Sequence, residues 1–224
     1  MPHCEDVLVE EHLRELATRL QGPARLKSDL LTEARHGLLD AVEAYREDGV
    51  PATEAQRRAV AEFGSPAQLV PSWQAELAVG ALRGLSLRML AIAGVLVVAG
   101  DLTWHGASWS DGPQPPAVYR LLSASVDWIW MGALLLAVAG LVVVTVSARS
   151  ARPGLALAQR VVGAGLTGIL LLGMLAGTAL FAWSIGLWDA ALTWPPMIIG
   201  VVLAGAAYFS LARAARGWLR ATAR

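Results

Sequence analysis

Between Val161 and Trp183 the chain reads VVGAGLTGILLLGMLAGTALFAW, and no residue in that run carries a charge. A helix of this length is about as long as the ~30 Å hydrocarbon core of a bilayer is thick. In lipid such a segment has to satisfy its own backbone, which a helix does and an irregular segment does not. The run therefore predicts a transmembrane helix. Three more share its character: Leu85–Trp104, Trp128–Ser147 and Trp194–Ala212. The first contains Arg88 and Asp101, whereas the interiors of the other spans hold no ionisable group. A chain with 55% hydrophobic and 16% charged residues fits a multi-pass membrane protein.

The formal net charge of zero conceals a partition. Residues 1–80 contain 14 Asp/Glu against 8 Lys/Arg, and the remainder carries the compensating positive excess. Arginines flank one side of the spans. Arg83 and Arg88 stand at the entry, Arg149, Arg152 and Arg160 between spans two and three, and Arg213, Arg216, Arg220 and Arg224 after span four. The other two connections hold Arg120 with Asp111, Asp127 and Asp189. Basic residues remain on the cytoplasmic face, so both termini are predicted to be cytoplasmic in a bacterial inner membrane. The opening MPHCEDVLVEEHLRELATRL is acidic and lacks the apolar core of a signal peptide, which leads to the same expectation.

Trp104, Trp109, Trp128, Trp130, Trp183, Trp188 and Trp194 gather near the opposite boundary, where indole rings anchor at headgroup depth. A lipophilic pocket is the alternative use for them. Asp101 is the sole ionisable group with a claim to an intramembrane role, and its place within about a turn of that boundary favours capping. Gly173-x-x-x-Gly177 lets helix backbones approach closely, within the bundle or between two copies of the chain.

The first 80 residues read as a separate, small helical domain. Val9, Leu13, Leu16 and Leu20 form one face of a first helix, which Gly22-Pro23 ends. A second helix over Ala24–Asp48 turns Leu30, Leu31, Ala34, Leu38, Ala41, Val42 and Tyr45 inward and Asp29, Glu33, Asp40, Glu43 and Glu47 outward. Gly49 is its stop. Thr53 and Gln56 have capping-box spacing, predicting a third helix over Thr53–Phe63. Gly64 ends it, Ser65 and Gln68 form the next capping box, and Pro66 fits the first helical position. Phe63, Gly64, Ser65 and Pro66 thus build the fold, and Pro71 is expected to bend or reset the fourth helix.

Chemistry has few candidates. No phosphate-cradling Gly-Lys-Ser/Thr loop, zinc-spaced His/Glu pair or serine elbow is present. Glu33-x-x-His36 has the spacing of a di-iron helix, but that centre needs a second such motif and two more carboxylates. His12 follows Glu10 and Glu11, and adjacent residues point to different sides of a helix. Cys4 is the only cysteine, so no intrachain disulfide forms. No catalysis, cofactor or metal is expected. An acidic helical domain without a basic face also argues against direct nucleic-acid binding and for a protein partner.

The segment LLTEARHGLLDAVEAYREDGVPATEAQRRAVAEFGSP, followed by membrane spans, resembles the bacterial permease prefix domain and the related HAAS-type domains. Glu33, His36, Leu38, Gly49, Thr53, Ala55, Ala59 and the Phe63-Gly64-Ser65-Pro66 run carry the likeness, which covers about residues 5–80. The resemblance implies a cytoplasmic interaction module tethered to the membrane, in a family often paired with PadR-type transcriptional regulators and sometimes fused to permeases. The expected fold is all-α: a helical domain over 1–80 and a four-span region over 81–224. The expected function is a membrane-anchored protein that holds or modulates a PadR-like regulator, with Glu33, His36, Asp40 and Glu43 as partner-facing side chains. A permease accessory subunit or a structural membrane protein are the alternatives.

Overall fold

The structure, a computed structural model, describes residues 6–104, 116–149, 154–187 and 195–223. It is all-α, with no strand among the described residues. Three helices come first: α1 (Val7–Arg19), α2 (Ala24–Glu47) and α3 (Ala52–Phe63). Four long apolar helices follow: α4 (Pro66–Trp104), α5 (Ala117–Arg149), α6 (Leu155–Leu187) and α7 (Pro195–Thr222). Each of the four contains a stretch long and apolar enough to cross a membrane. The chain divides into two compact units, Met1–Ala81 with Gly217–Arg224, and Leu82–Arg216.

In the first unit, α1, α2 and α3 close on a small core because each carries apolar residues at three- and four-residue spacing. Val9, Leu13 and Leu16 come from α1, Ala34, Leu38 and Val42 from α2, and Ala55 and Ala59 from α3. Leu31, Ala41, Tyr45, Phe63 and Trp73 pack around them. Leu20, the last member of the predicted α1 stripe, is buried as well.

The turns follow from glycine chemistry. Gly49 has φ +83°, the Gly49 N–H donates to the Arg46 carbonyl and the Val50 N–H to the Tyr45 carbonyl, each at 3.0 Å. That pair of bonds is the Schellman closure, and it needs a left-handed residue where glycine stands. Gly64, at φ +102°, likewise ends α3. The Ser65 N–H then donates to Gln68 Oε1 at 3.0 Å, while the Ser65 hydroxyl donates to the same oxygen at 3.0 Å. Pro66 is the first residue of α4, where its missing N–H costs nothing.

Two local expectations are corrected. α3 starts one residue early, at Ala52, capped by Pro51 without any side-chain bond, so Thr53 and Gln56 form no capping box. Gln56 is buried, and its Oε1 accepts from the Leu8 N–H at 3.3 Å, satisfying one of the orphan donors at the start of α1. Pro71 does not reset the fourth helix; α4 runs unbroken through it from Pro66 to Trp104. Pro71 sits within two turns of the helix start on an exposed face, so the one carbonyl left without a donor, that of Ala67, faces water. The continuous helix is about 58 Å long, well beyond a ~30 Å hydrocarbon core. Its buried stripe of Leu77, Ala81, Leu85, Met89 and Ala93 recurs every fourth residue.

The last turns of α7 belong to the first unit. Gln74 makes the connection: its Nε2 donates to the Gln21 carbonyl at 2.6 Å and to the Ala221 carbonyl at 2.8 Å, and its Oε1 accepts from the Gln21 N–H at 3.0 Å. Close packing accompanies it. A Cβ added at Gly217 would lie 3.1 Å from the Pro23 ring, and one at Gly22 would touch Leu77 and Ala221. Trp218 and Ala221 are buried.

In the second unit α5 and α6 lie antiparallel. Near one end Gln159 donates to the Ser147 hydroxyl at 2.9 Å, and near the other Tyr119 meets Ser184 at 2.9 Å. The buried stripe of α5 is Ala133, Ala137, Gly140 and Val144, small enough for helices to approach closely. At Gly140 three helices meet, since a Cβ there would collide with the Ser86 hydroxyl of α4 and reach Val162 of α6 at 3.4 Å.

Candidate interaction surface

The residues expected to face a partner lie on α2. Glu33, His36, Asp40 and Glu43 follow one another at spacings of three, four and three, which places them along one side of a helix. Ala34, Leu38 and Val42 turn the adjoining face of α2 into the core, and all four polar residues stand exposed. Asp29 and Glu47 extend the exposed acidic row at its ends. Among the described residues, none of the four is in an ion pair or a side-chain hydrogen bond. Of the arginines of the unit, Arg35 pairs with Glu10 at 2.7 Å, Arg19 with Glu15 at 2.6 Å, and Arg57 and Arg58 with Glu54 at 3.4 and 3.0 Å, while Arg25 and Arg46 stand exposed on α2. Like charges at this spacing repel by a few tenths of a kcal/mol per pair. The row is therefore relieved when a cationic surface meets it.

Among the described residues, no group of three His, Cys, Asp or Glu side chains comes together around Glu33 and His36. Beside this face, the Tyr45 hydroxyl donates to Glu62 Oε2 at 2.7 Å, and that bond to a carboxylate pushes the phenol above its ordinary range.

A second polar feature of the unit lies inside it. His12 is buried on α1, its ring T-shaped against Phe63 of α3 at 6.1 Å, and Phe63 is in turn T-shaped against Trp73 of α4 at 6.1 Å. Among the described residues its Nε2 has no hydrogen-bond partner. Desolvation holds the imidazole below its usual pKa, with Glu15 opposing the shift more weakly. In the sequence, His12 stands out only as a neighbour of Glu10 and Glu11. Its place between Val9, Leu13 and Leu16, one position from the core stripe, was the available sign of burial.

In the spans, Gly173 lies where a Cβ would meet the Tyr208 hydroxyl of α7 at 3.1 Å and Ile129 of α5 at 3.3 Å, and Gly177 faces the same hydroxyl at 3.9 Å. The two glycines thus form a notch on α6 for the Tyr208 ring, which also packs against Trp130 at 5.8 Å. Trp183 packs T-shaped on Tyr119 at 5.9 Å. Because the Ser184 hydroxyl already donates to the Leu180 carbonyl, the Tyr119 phenol is the donor in their shared bond. Trp128 is exposed. The side chains of Asp101 and Trp104, together with Cys4, Trp109, Asp111, Arg152, Trp188, Asp189, Trp194 and Arg224, lie outside the described residues.

The tail after the fourth predicted span is the element sequence reasoning passed over. Leu211, Ala214, Ala215, Trp218 and Ala221 are all buried at three- and four-residue spacing, while Arg213, Arg216 and Arg220 are exposed between them. The amphipathic period was present in LARAARGWLRAT, but the arginines read first as a topology signal. Comparison with protein-family profiles, curated proteins and solved structures returns no match to this chain.

Proposed function

We propose that this chain is a membrane-anchored regulatory protein, oriented with both termini in the cytoplasm, whose first unit binds and sequesters a PadR-like transcriptional regulator. The observation that carries the reading is the exposed, unpaired acidic row of Glu33, Asp40 and Glu43 on a folded helical unit whose chain continues into four apolar helices. A regulator's DNA-binding face is basic, so an acidic row competes with the operator for it, and the bilayer keeps the captured regulator away from DNA. His36 sits within the row and supplies a hydrogen-bonding edge. The resemblance to permease prefix and HAAS-type domains supplies the partner class.

The test is binding of the full chain in nanodiscs to the PadR-type regulator encoded nearest its gene. Association at 50 mM salt and release of the regulator from its operator are expected, both weakening steeply as salt rises. Reversing three charges (Glu33→Lys, Asp40→Lys and Glu43→Lys together) is expected to weaken binding by at least about tenfold, or ~1.4 kcal/mol. Absence of binding at low salt would sink the proposal. Copurification with a transport ATPase in its place would favour the accessory-subunit reading. Orientation has its own measurement: a reporter fused after Arg224 is expected to be active only in its cytoplasmic form, and an external signal reverses the arrangement.

A further inference from the structure

His12 is the one ionisable side chain among the described residues of the first unit that is buried. Its surroundings offer a charge nothing to hold. Nε2 is shut off from solvent with no acceptor among the described residues, and the ring lies against Phe63, itself edge-on to Trp73. An imidazolium here would be a desolvated cation with an unmet donor, the costliest state a histidine can adopt in a core. The neutral ring, by contrast, packs as an aromatic.

The charged groups of the neighbouring helices do not offset that cost. On α1, Glu15 acts on the ring but less strongly than desolvation, while Glu10 is taken by Arg35 and Glu11 and Arg14 are exposed. On α3, Glu54 is paired with Arg57 and Arg58, and Glu62 accepts from Tyr45. On α2, Arg25, Asp29, Glu33, His36, Asp40, Glu43, Arg46 and Glu47 are exposed, and Lys27 is half-buried. Between Pro66 and Leu82, α4 carries one ionisable residue, Glu76, on its exposed side. α1 is a short helix of 13 residues, so its place depends on Val9, His12, Leu13 and Leu16 staying docked.

We propose that His12 is a proton-operated latch: taking up a proton at mildly acidic pH releases α1 from the core formed with α2 and α3. The sign follows from linkage. Above the ordinary histidine value of 6.5 neither folded nor open state carries the proton. As pH falls below it, the open state binds a proton that the docked state refuses, so docking weakens until pH reaches the lowered value of the docked ring. The device stands on the burial of His12, whatever partner the unit binds.

Hydrogen exchange of the full chain in nanodiscs tests it, with rates corrected for intrinsic pH dependence. Protection of α1 amides is expected to fall about tenfold between pH 7.5 and pH 5.0 in the wild type and in His36→Gln. It is expected to stay constant in His12→Phe, which keeps an aromatic ring without a titrating group. His12→Leu serves as the second variant should phenylalanine overfill the site. Constant wild-type protection across this range overturns the latch, as does a pH-dependent loss that survives in a folded His12 variant or vanishes in His36→Gln.

Discussion

Replacing Trp218 by alanine is expected to destabilise the first unit by about 3–5 kcal/mol, the range for removing a buried tryptophan. Trp218 is only 4% exposed, in the part of α7 that belongs to the first unit, between Gly217 against Pro23 and Ala221 beside Gly22. The side chain is the largest apolar group in the last two turns of α7, and few domains have more than 5–15 kcal/mol to lose. Arg220→Ala is the matched control, because Arg220 is exposed on the same turn and a surface change there stays within about 0.5 kcal/mol. Hydrogen exchange or limited proteolysis of α1, α2 and α3 in the detergent-solubilised chain measures the difference. Equal protection in the Trp218→Ala and Arg220→Ala chains would mean that the end of α7 contributes nothing to the unit.

Leucine at Gly140 is expected to cost about 3 kcal/mol, the upper end of the usual overpacking penalty. The first carbon alone would collide with the Ser86 hydroxyl, and Val162 stands 3.4 Å from it on another side. Ser86 is fully buried, and although its hydroxyl can rotate away from a first carbon, its Cβ stands 3.4 Å from that carbon and leaves little room for the rest of a leucine. Gly168→Leu is the control, since that glycine is exposed on α6 with nothing within 4 Å of a new Cβ. Thermal unfolding in detergent is expected to show a lower midpoint for Gly140→Leu and a wild-type midpoint for Gly168→Leu. Matching midpoints would show that the three-helix junction is loose.

Much of this architecture was legible because the residues responsible act locally. A run without charges has one stable solution in lipid, and the Val161–Trp183 segment lies within α6. Val9, Leu13, Leu16 and Leu20 show their period in any window. Gly49 and Gly64 stand where the backbone needs positive φ, so their chemistry announced the two helix ends. Gln56 was misread because a capping box is a local pattern, and the Leu8 N–H that takes its side chain lies 48 residues away. Pro71 does not reset α4, because the cost of a proline depends on its distance from the helix start. The packing of α7 with Pro23 and Gln74 joins segments separated by most of the chain, and no local spacing shows that. For the acidic row, sequence supplied the residues and their common face, but a row of carboxylates states a charge preference rather than a partner.

The dependence on Gln74 and Trp218 has a consequence for biosynthesis. Gln21, Pro23 and Leu77 emerge from the ribosome long before Gly217 and Ala221, the residues that cover them. At roughly 5–20 residues per second the intervening chain takes on the order of ten seconds to make. During that interval all four hydrophobic helices have to enter the bilayer while the earliest segment waits with an uncovered apolar surface. The first-made unit is therefore complete only after the last residues of the chain's final helix have been synthesised.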